Sequence, residues 1–302
     1  MGPSSLFWRT LKHFFVYRTS NSLILAETIQ VSVVLPTFDE AGNIKLLIER
    51  VATALSNVQH EILVMDDRSP DGTANLAREA GIRHPQVRVY ERELPAGLTL
   101  SIKDGIQRAR GIFVTWMDCD FSHPPELLPE LLEPLRRGDA DVACASRYVH
   151  GGADNRDDTT AVLASLAITR LAHRFIDHRV LDYTTGYVMA PRALLLELGL
   201  HGDYGEYCIE LLGTAILRGY RVLEVPYASI PRLEGKSKTA SNVFGFVRRG
   251  WRYLVTIGRL WLSRRRIGAL GVSPGTTTSD LRERPDLVRD PSGGAPEEGF
   301  EA

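Results

Sequence analysis

The sequence is poor in cysteine, with three among 302 residues and none close to another. Cys119, Cys144 and Cys208 therefore indicate neither a zinc site nor a disulfide framework, and this use of thiols is typical of a reducing compartment. The chain also lacks an uninterrupted apolar run of about 18 residues, so no transmembrane helix is predicted. A formal net charge of −1 predicts no general affinity for nucleic acid.

Two nucleotide-binding motifs and one catalytic pattern are missing as well. No Gly-x-Gly-x-x-Gly follows the first predicted strand and no Gly-Lys-Ser/Thr loop occurs, which disfavours a dinucleotide dehydrogenase and a P-loop NTPase. The histidines lie in ordinary helix or loop contexts, so no Ser-His-Asp nucleophile is indicated. What remains is a set of carboxylates at strand ends with basic residues downstream.

Strand-like apolar runs alternate with helical patterns from residue 31 onward, and this rhythm predicts the fold class. It is typical of an α/β protein with a mainly parallel sheet flanked by helices. The predicted strands are 31–36, 61–65, 87–90, 112–117, 141–145 and 221–225. The predicted helices are 43–56, 72–80, 98–109, one after residue 125, 160–175 and 204–217.

Polar clusters follow four of these strands, at residues 37–40, 66–67, 118–120 and 146–147. In parallel sheets, ligands bind beyond the carboxyl ends of the strands, so the fold would bring the four clusters to one edge. We therefore expect an active site there rather than four unrelated turns.

Asp118 and Asp120 are the sharpest feature of that edge. Residues i and i+2 of a strand point to the same face, so both carboxylates can reach one cation. A hard divalent ion such as Mg²⁺ takes a few carboxylates and completes its coordination with phosphate oxygens and water. A polar strand end without a metal is the alternative interpretation.

Residues 242–262 predict an amphipathic C-terminal helix. Its arginines at 248, 252 and 259 form one stripe beside an apolar face with two tryptophans, and residues 242–266 contain seven arginines and no acidic residue. This pattern is typical of a membrane-surface helix, and a terminal helix packed on the domain is the alternative. The predicted divisions are a basic amphipathic N-terminal segment (1–30), a main domain (31–240), the helix (241–266) and a disordered tail (267–302).

A family resemblance appears in the motifs PTFDE at 36–40, MDDRSPDGT at 65–73, MDCDFSHPPE at 117–126 and SRYVHGG at 146–152. Their order and spacing over residues 31–240 resemble the inverting family 2 glycosyltransferases. The subgroup most similar in these motifs is the dolichol-phosphate, or polyprenol-phosphate, mannosyltransferases. The resemblance implies a GT-A fold and a Mg²⁺ or Mn²⁺ cofactor.

The resemblance also implies roles for individual residues. Pro36, Phe38 and Glu40 would border the base, Met65 and Asp67 would contact the nucleoside, Asp118, Asp120 and Ser122 would hold the metal, and Arg147, Arg232 and Lys238 would face the phosphates. Three carboxylates have structural alternatives. Asp71 is placed to cap a helix, Glu40 to face a helix dipole, and Asp66 to orient its loop.

Two departures from the family pattern concern the acceptor side. The family usually has a Trp and, four residues later, an Arg after the Gly-Gly motif, whereas residues 155–160 contain no Trp and place Thr160 at the Arg position. Arg156 is a candidate replacement. The usual Ser-Gly-Phe is replaced by Thr185-Gly186-Tyr187.

The expected activity is transfer of a hexose, mannose from GDP-mannose, onto a polyprenyl phosphate by one inverting displacement. The lipid phosphate is already an anion, so it needs no dedicated general base. We expect a peripheral enzyme at the cytoplasmic face of a membrane, with a separate membrane subunit as a possible partner. The alternatives are another donor such as UDP-glucose, another membrane acceptor, or a non-catalytic relative that binds nucleotide sugar.

Overall fold

The computed structural model describes residues 28–93, 95–156, 158–229 and 243–269. Most of the predicted N-terminal segment, the loop with Arg232 and Lys238, and the predicted tail beyond residue 269 lie outside these ranges. All other predicted site residues are within them.

The described elements follow the predicted alternation closely. The strands are β1 (Val31–Thr37), β2 (His60–Asp66), β3 (Val87–Glu91), β4 (Phe113–Trp116), β5 (Val142–Ser146), β6 (Ala153–Asp154), β7 (Val188–Pro191), β8 (Val222–Pro226) and β9 (Ala228–Ser229). The helices are α1 (Ile44–Ala54), α2 (Thr73–Arg83), α3 (Leu98–Arg108), α4 (Leu128–Arg137), α5 (Thr159–Phe175), α6 (Arg192–Leu198), α7 (Glu206–Leu217) and α8 (Val243–Ala269).

Seven of the strands form one sheet in the order β3-β2-β1-β4-β7-β5-β8. The predicted mainly parallel α/β sheet is confirmed, with one exception that the sequence did not indicate. Strand β7 runs antiparallel to both neighbours, β4 and β5. The segment that precedes β7 therefore lies at the carboxyl edge of β4 and β5, where the polar clusters were expected.

The sheet has a hydrophobic layer on each face. In β1 the side chains of Val31, Val33 and Leu35 enter the layer that packs with α1, α2 and α4. Val34 points to the opposite layer, which packs with α3 and α7. Burial on both faces explains why β1 reads as an uninterrupted apolar run. Gly105 lets α3 lie against this strand, because a Cβ there would stand 2.4 Å from the Val34 side chain.

The C-terminal helix α8 begins near the predicted start and ends at Ala269, three residues beyond the predicted boundary. Ile257 and Leu260 are buried in the core layer with α5 and α7. Arg252 pairs with Asp203, and Arg259 pairs with Glu210 on α7. No helix in the described ranges has the length and apolar character needed to cross a bilayer.

Candidate active site

The loops after β1 and β2 are joined by hydrogen bonds at the carboxyl edge of the sheet. The backbone N–H of Asp39 donates to Ser69 Oγ at 3.0 Å, and that of Ala41 donates to Asp71 Oδ2 at 2.9 Å. Asp66 accepts from Thr37 Oγ1 at 2.9 Å and from the Ser69 N–H at 2.9 Å. Asp66 therefore orients its loop, as the structural alternative predicted.

Asp71 was predicted to be a helix N-cap, but Gly72 takes that position, and Asp71 bonds the start of the helix from one residue earlier. Its Oδ1 accepts from the N–H of Thr73, the first residue of α2, at 3.0 Å, and from Thr73 Oγ1 at 2.6 Å. Burial would raise the pKa of Asp71, but the hydrogen bonds from Thr73 and from the Ala41 N–H hold it below the ordinary value. This carboxylate fixes the start of α2 to the loop after β1.

The segment after β4 leaves the sheet in a turn, and buried and partly exposed side chains alternate along it. Cys119, Phe121 and His123 are buried. Asp118, Asp120 and Ser122 are partly exposed and form what we call the open side of the turn, where the Ser122 N–H donates to Asp120 Oδ1 at 3.0 Å. Phe121 holds a left-handed φ of 63°, an unusual conformation for a non-glycine residue. Such strain persists where the surroundings over-determine the backbone, as in a binding turn.

The donor set of this turn fits a divalent cation that shares its coordination with a substrate. Asp118, Asp120 and Ser122 offer hard oxygen atoms, which Mg²⁺ and Mn²⁺ prefer. Within the ranges that the structure describes, no group of three or more His, Cys, Asp or Glu side chains is arranged to hold a metal. A cation here would therefore depend on phosphate oxygens and water for its remaining positions.

His123 ties this turn to the segment before β7. Its Nδ1 lies 3.2 Å from the Asp118 N–H donor, and its Nε2 lies 3.2 Å from the Thr185 carbonyl oxygen. These partners assign the neutral form with the proton on Nε2, because Nδ1 must accept and Nε2 must donate. The imidazole also stacks on Tyr187, with 4.8 Å between ring centroids.

A second bridge runs beside the first. Trp116 Nε1 donates to the Tyr207 hydroxyl at 3.0 Å, and that hydroxyl donates to the Gly186 carbonyl at 3.3 Å. The Thr185 carbonyl is thus linked through His123 to the Asp118 backbone, and the Gly186 carbonyl is linked through Tyr207 to the Trp116 side chain. We call the carboxyl edge of β1, β2, β4 and β5 the catalytic edge. The contacts of Tyr207 fix the start of α7 at this edge.

The residues predicted to border the nucleobase occupy different environments. Phe38 is 45% exposed at the edge, whereas Glu40 accepts a hydrogen bond from Asn43 in the first turn before α1 at 3.1 Å. Met65 needs a correction, because its side chain is fully buried in the core and is not available to a nucleoside. The sequence could not separate these cases, because all three follow or end a strand.

Asp67 lies in an internal ion pair. One carboxylate oxygen contacts the guanidinium of Arg92, and the other accepts from the Gly97 N–H at 2.8 Å and from Ser101 Oγ at 3.1 Å. Arg92 also donates to Ser101 Oγ at 2.8 Å. Asp67 therefore fixes the start of α3, and its contact with a nucleoside stays a prediction.

Arg147 is also engaged inside the protein, with a side chain only 4% exposed. Its Nε and Nη2 donate to the two carboxylate oxygens of Asp182 at 2.7 and 2.8 Å, and Nη2 donates to Thr184 Oγ1 at 2.8 Å. Burial would lower the pKa of Arg147, but the hydrogen bonds and charge of Asp182 raise it. Its contact with substrate phosphates stays a prediction, and the described contacts anchor the segment before β7.

Arg156, the candidate replacement on the acceptor side, pairs with Asp154. Its Nε and Nη2 donate to the Asp154 carboxylate at 2.7 and 2.6 Å. Burial would raise the pKa of Asp154, but hydrogen bonds from Arg156 and the charge of Arg147 lower it to about 2. The two arginines therefore share one carboxylate, which links the loops after β5 and β6.

Comparison with known proteins supplies the family. Residues 32–199 match the family model described as glycosyl transferase family 2. The chain belongs to this family. This match confirms the family that the four motifs predicted.

Two relatives show how similar the chain is to characterised family 2 members. It is 36% identical over 220 residues to a polyprenol monophosphomannose synthase from Mycolicibacterium smegmatis, covering 70% of this chain and 82% of the relative. It is 32% identical over 237 residues to a dolichol-phosphate mannosyltransferase from Pyrococcus furiosus. That match covers 76% of this chain and 65% of the relative, so the chain spans less than two thirds of the archaeal protein.

A solved structure confirms the fold. Glucosyl-3-phosphoglycerate synthase from Mycobacterium tuberculosis, in complex with Mn²⁺, UDP and its product, is similar with a TM-score of 0.59. The two chains are 20% identical, and the match covers 78% of this chain and 80% of the synthase. At this identity the likeness concerns the fold, and it confirms the predicted GT-A architecture of this family 2 member.

Several residues that build the edge were missed in the sequence. Arg92, Asp154, Asp182 and Tyr207 hold the polar loops in place, yet none belongs to the motifs that carry the family resemblance. Their partners lie as far as 91 positions away along the chain, as for Trp116 and Tyr207. Only spatial contact distinguishes such residues from ordinary polar or aromatic positions.

We expect His123→Ala to weaken Mn²⁺ binding by about 10- to 100-fold, because it removes the acceptor that orients the Asp118 backbone. His123→Asn should recover most of the affinity, since its Oδ1 can replace the Nδ1 acceptor. Titration of the protein with Mn²⁺ in the presence of a nucleoside diphosphate measures the effect. His60→Ala is the matched control, because His60 bonds the Val58 carbonyl before β2. Equal affinities for the His123→Ala protein and wild type would refute the positioning role.

Proposed function

We propose that this family 2 member transfers a hexose from a nucleotide sugar to a polyprenyl phosphate. The observation that carries the proposal is the open side of the turn after β4, where Asp118, Asp120 and Ser122 lie together. A cation bound there would offset the negative charge that develops on the departing diphosphate. The names of the two relatives, a dolichol-phosphate mannosyltransferase and a polyprenol monophosphomannose synthase, support a lipid-phosphate acceptor.

The reaction that we propose is one inverting displacement. An oxygen of the acceptor phosphate attacks the anomeric carbon while the bond from that carbon to the diphosphate oxygen breaks. The acceptor is already an anion at neutral pH, so no side chain has to remove a proton. The protein's tasks are to hold the two substrates in line and to offset their charge. The bridges through His123 and Tyr207 support this, because they make the turn and the segment before β7 one rigid unit.

We propose mannose as the transferred sugar on the basis of the relatives' names, and GDP-mannose as its donor on the basis of the motif resemblance. For the metal we propose Mg²⁺ or Mn²⁺, both of which have been seen with UDP in the mycobacterial synthase. Arg232 and Lys238 are proposed to face the substrate phosphates. We further propose a peripheral position at the cytoplasmic face of a membrane, with or without a separate membrane subunit. The altered acceptor region around Arg156 favours one alternative, a family 2 transferase with a different membrane acceptor.

A donor assay tests the activity directly. Purified protein is incubated with Mn²⁺, a polyprenyl phosphate and radiolabelled GDP-mannose or UDP-glucose, and the lipid is then extracted. We expect label in the lipid phosphate from GDP-mannose and its loss when a chelator is added. Label from UDP-glucose alone would identify UDP-glucose as the donor, and the class of reaction would still be the one proposed. Label from neither donor, in the lipid or in free sugar, would contradict transfer to this acceptor and favour the binding-only alternative.

A further inference from the structure

We propose that one face of α8 docks on an anionic lipid bilayer, and that this face is not the one with Arg252 and Arg259. The inference rests on the proposed function, in which the acceptor phosphate is presented by a membrane. It assigns the contact to the exposed apolar side of α8 together with the arginines near its end. We call this surface the outer face.

The inner side of α8 is occupied by the protein itself. Ile257 and Leu260 are buried among core residues. Arg252 and Arg259 lie at the border of this side, because Arg252 Nη1 is 2.6 Å from Asp203 Oδ2 and Arg259 Nη2 is 3.1 Å from Glu210 Oε1, while their side chains stay 36% and 63% exposed. The arginine stripe that suggested membrane contact in the sequence thus finds carboxylate partners at and before α7.

The outer face is apolar in the middle of α8, over residues 251–262. Trp251, Leu254 and Val255 are 66%, 47% and 43% exposed, and Leu262, two turns further along, is 52% exposed. Residues at positions i, i+3, i+4 and i+11 lie on one side of a helix, so these side chains form one strip. Exposed apolar side chains grouped in this way are typical of an interaction surface rather than of scattered surface residues.

The charges around the strip select an anionic lipid as the partner. Arg265 and Arg266 are exposed near the C-terminal end, and the helix sequence contains no acidic residue. Arg264 points to the other side, where its Nη1 donates to the Phe175 carbonyl at 3.5 Å. The Arg265 guanidinium carbon lies 4.1 Å from the centroid of the Trp261 ring, in a cation–π contact. A bilayer with anionic headgroups supplies an apolar layer for the strip and negative charge for the arginines at one surface.

The position of α8 places the proposed bilayer contact close to the candidate active site. Tyr207, at the start of α7, is bonded to the Gly186 carbonyl at the catalytic edge. Arg252 lies 3.7 Å from Glu206, and the Tyr253 hydroxyl lies against Gly205. The Trp251 end of the strip is therefore the end nearest the catalytic edge. A bilayer on the outer face would bring its headgroups towards the substrates.

Vesicle flotation with the full chain tests the proposal. Wild-type protein should float with vesicles of phosphatidylcholine mixed with phosphatidylglycerol and stay behind with phosphatidylcholine alone. Each arginine near an anionic surface contributes a factor of about five, so Arg265→Gln and Arg266→Gln together should weaken binding on the order of 25-fold. Trp251→Ser, Leu254→Ser and Leu262→Ser together should weaken it by at least about tenfold.

Two matched controls separate the outer face from general effects. Leu46→Ser, Ile82→Ser and Leu196→Ser together remove three exposed apolar side chains from α1, α2 and α6, and flotation should be unchanged. Arg252→Gln with Arg259→Gln removes two arginines whose charges are paired with Asp203 and Glu210, and flotation should weaken less than in the variant that lacks Arg265 and Arg266. Transfer to a detergent-solubilised acceptor should stay at the wild-type level in the outer-face variants.

Each other result has a definite meaning. Wild-type protein that does not float with the mixed vesicles overturns the proposal. Full flotation of the apolar variant also overturns it and moves the contact elsewhere, for example to residues 1–27. A wild-type dimer that dissociates in the apolar variant makes a second copy the occupant. Flotation as expected with no transfer in detergent would leave the docking face intact and contradict the proposed function alone.

Discussion

Replacement of Asp118 or Asp120 by Asn will abolish metal-dependent transfer while the fold survives. Asn keeps the size of the side chain but lacks the charge, so the cation loses a ligand and the leaving diphosphate loses its neutralising partner. Loss of one positioned electrostatic group costs about 10²- to 10³-fold in kcat, and we expect at least this for either carboxylate. Initial rates with the labelled donor measure the loss.

The control for this experiment is Asp141→Asn. Asp141 pairs with Arg221 at 3.0 Å, beside the start of β5 and away from the catalytic edge. This variant should keep wild-type rates. Mn²⁺ titration gives a readout that does not depend on turnover, and thermal unfolding checks the fold. Normal rates and normal Mn²⁺ affinity in both edge variants would remove the metal site from the turn.

Replacement of Asp182 by Asn will lower the free energy of unfolding by about 3–5 kcal/mol, because the buried charge of Arg147 keeps only Asp154, which is 3.6 Å away and also pairs with Arg156. Asp182 is fully buried and accepts from the Arg147 side chain, the Arg147 N–H and Thr184. Loss of the pair also frees the segment before β7, so we expect transfer to fall in the protein that remains folded. Denaturant unfolding and initial rates measure the two effects.

The neighbouring pair of Asp177 and Arg179 is a matched control. It has the same two-bond geometry, with Arg179 Nε and Nη2 donating at 2.9 and 3.0 Å, but the Arg179 side chain is 47% exposed. The Asp177 side chain is only 12% exposed, but the Arg179 guanidinium stays in contact with water when its partner is lost, so Asp177→Asn should cost less than Asp182→Asn. Equal costs for the two substitutions would show that burial does not set the strength of the Arg147 pair.

The carboxylate turn was predictable because its signals are local. The apolar run before Asp118 predicts a strand, which ends at Trp116, and Asp118, Asp120 and Ser122 follow it in a turn where they alternate with buried side chains. The βαβ rhythm then brings the turn to the same edge as the loops after β1 and β2. Each step uses neighbours in the sequence or a general rule of parallel sheets.

The partners of the charged residues were not predictable in the same way. Arg147 meets Asp182 across 35 positions, and Asp67 meets Arg92 across 25, so spacing carries no information about either pair. The stripe of Arg252 and Arg259 was visible in the helix period. Which side of α8 packs, however, depends on Asp203 and Glu210 on another part of the chain. Periodicity defines faces, and tertiary contacts decide which one is buried.

The antiparallel strand β7 has a consequence for synthesis of the chain. Strands β1 to β4 are complete once residue 116 has left the ribosome, but one edge of β4 is covered only by Val188–Pro191. The nascent sheet therefore carries an open edge for about 70 further residues of translation, and open edges recruit other strands. The four residues of β7 thus cover one edge of β4 and one edge of β5. A chain that stops before β7 would expose two unpaired strand edges at the centre of the domain.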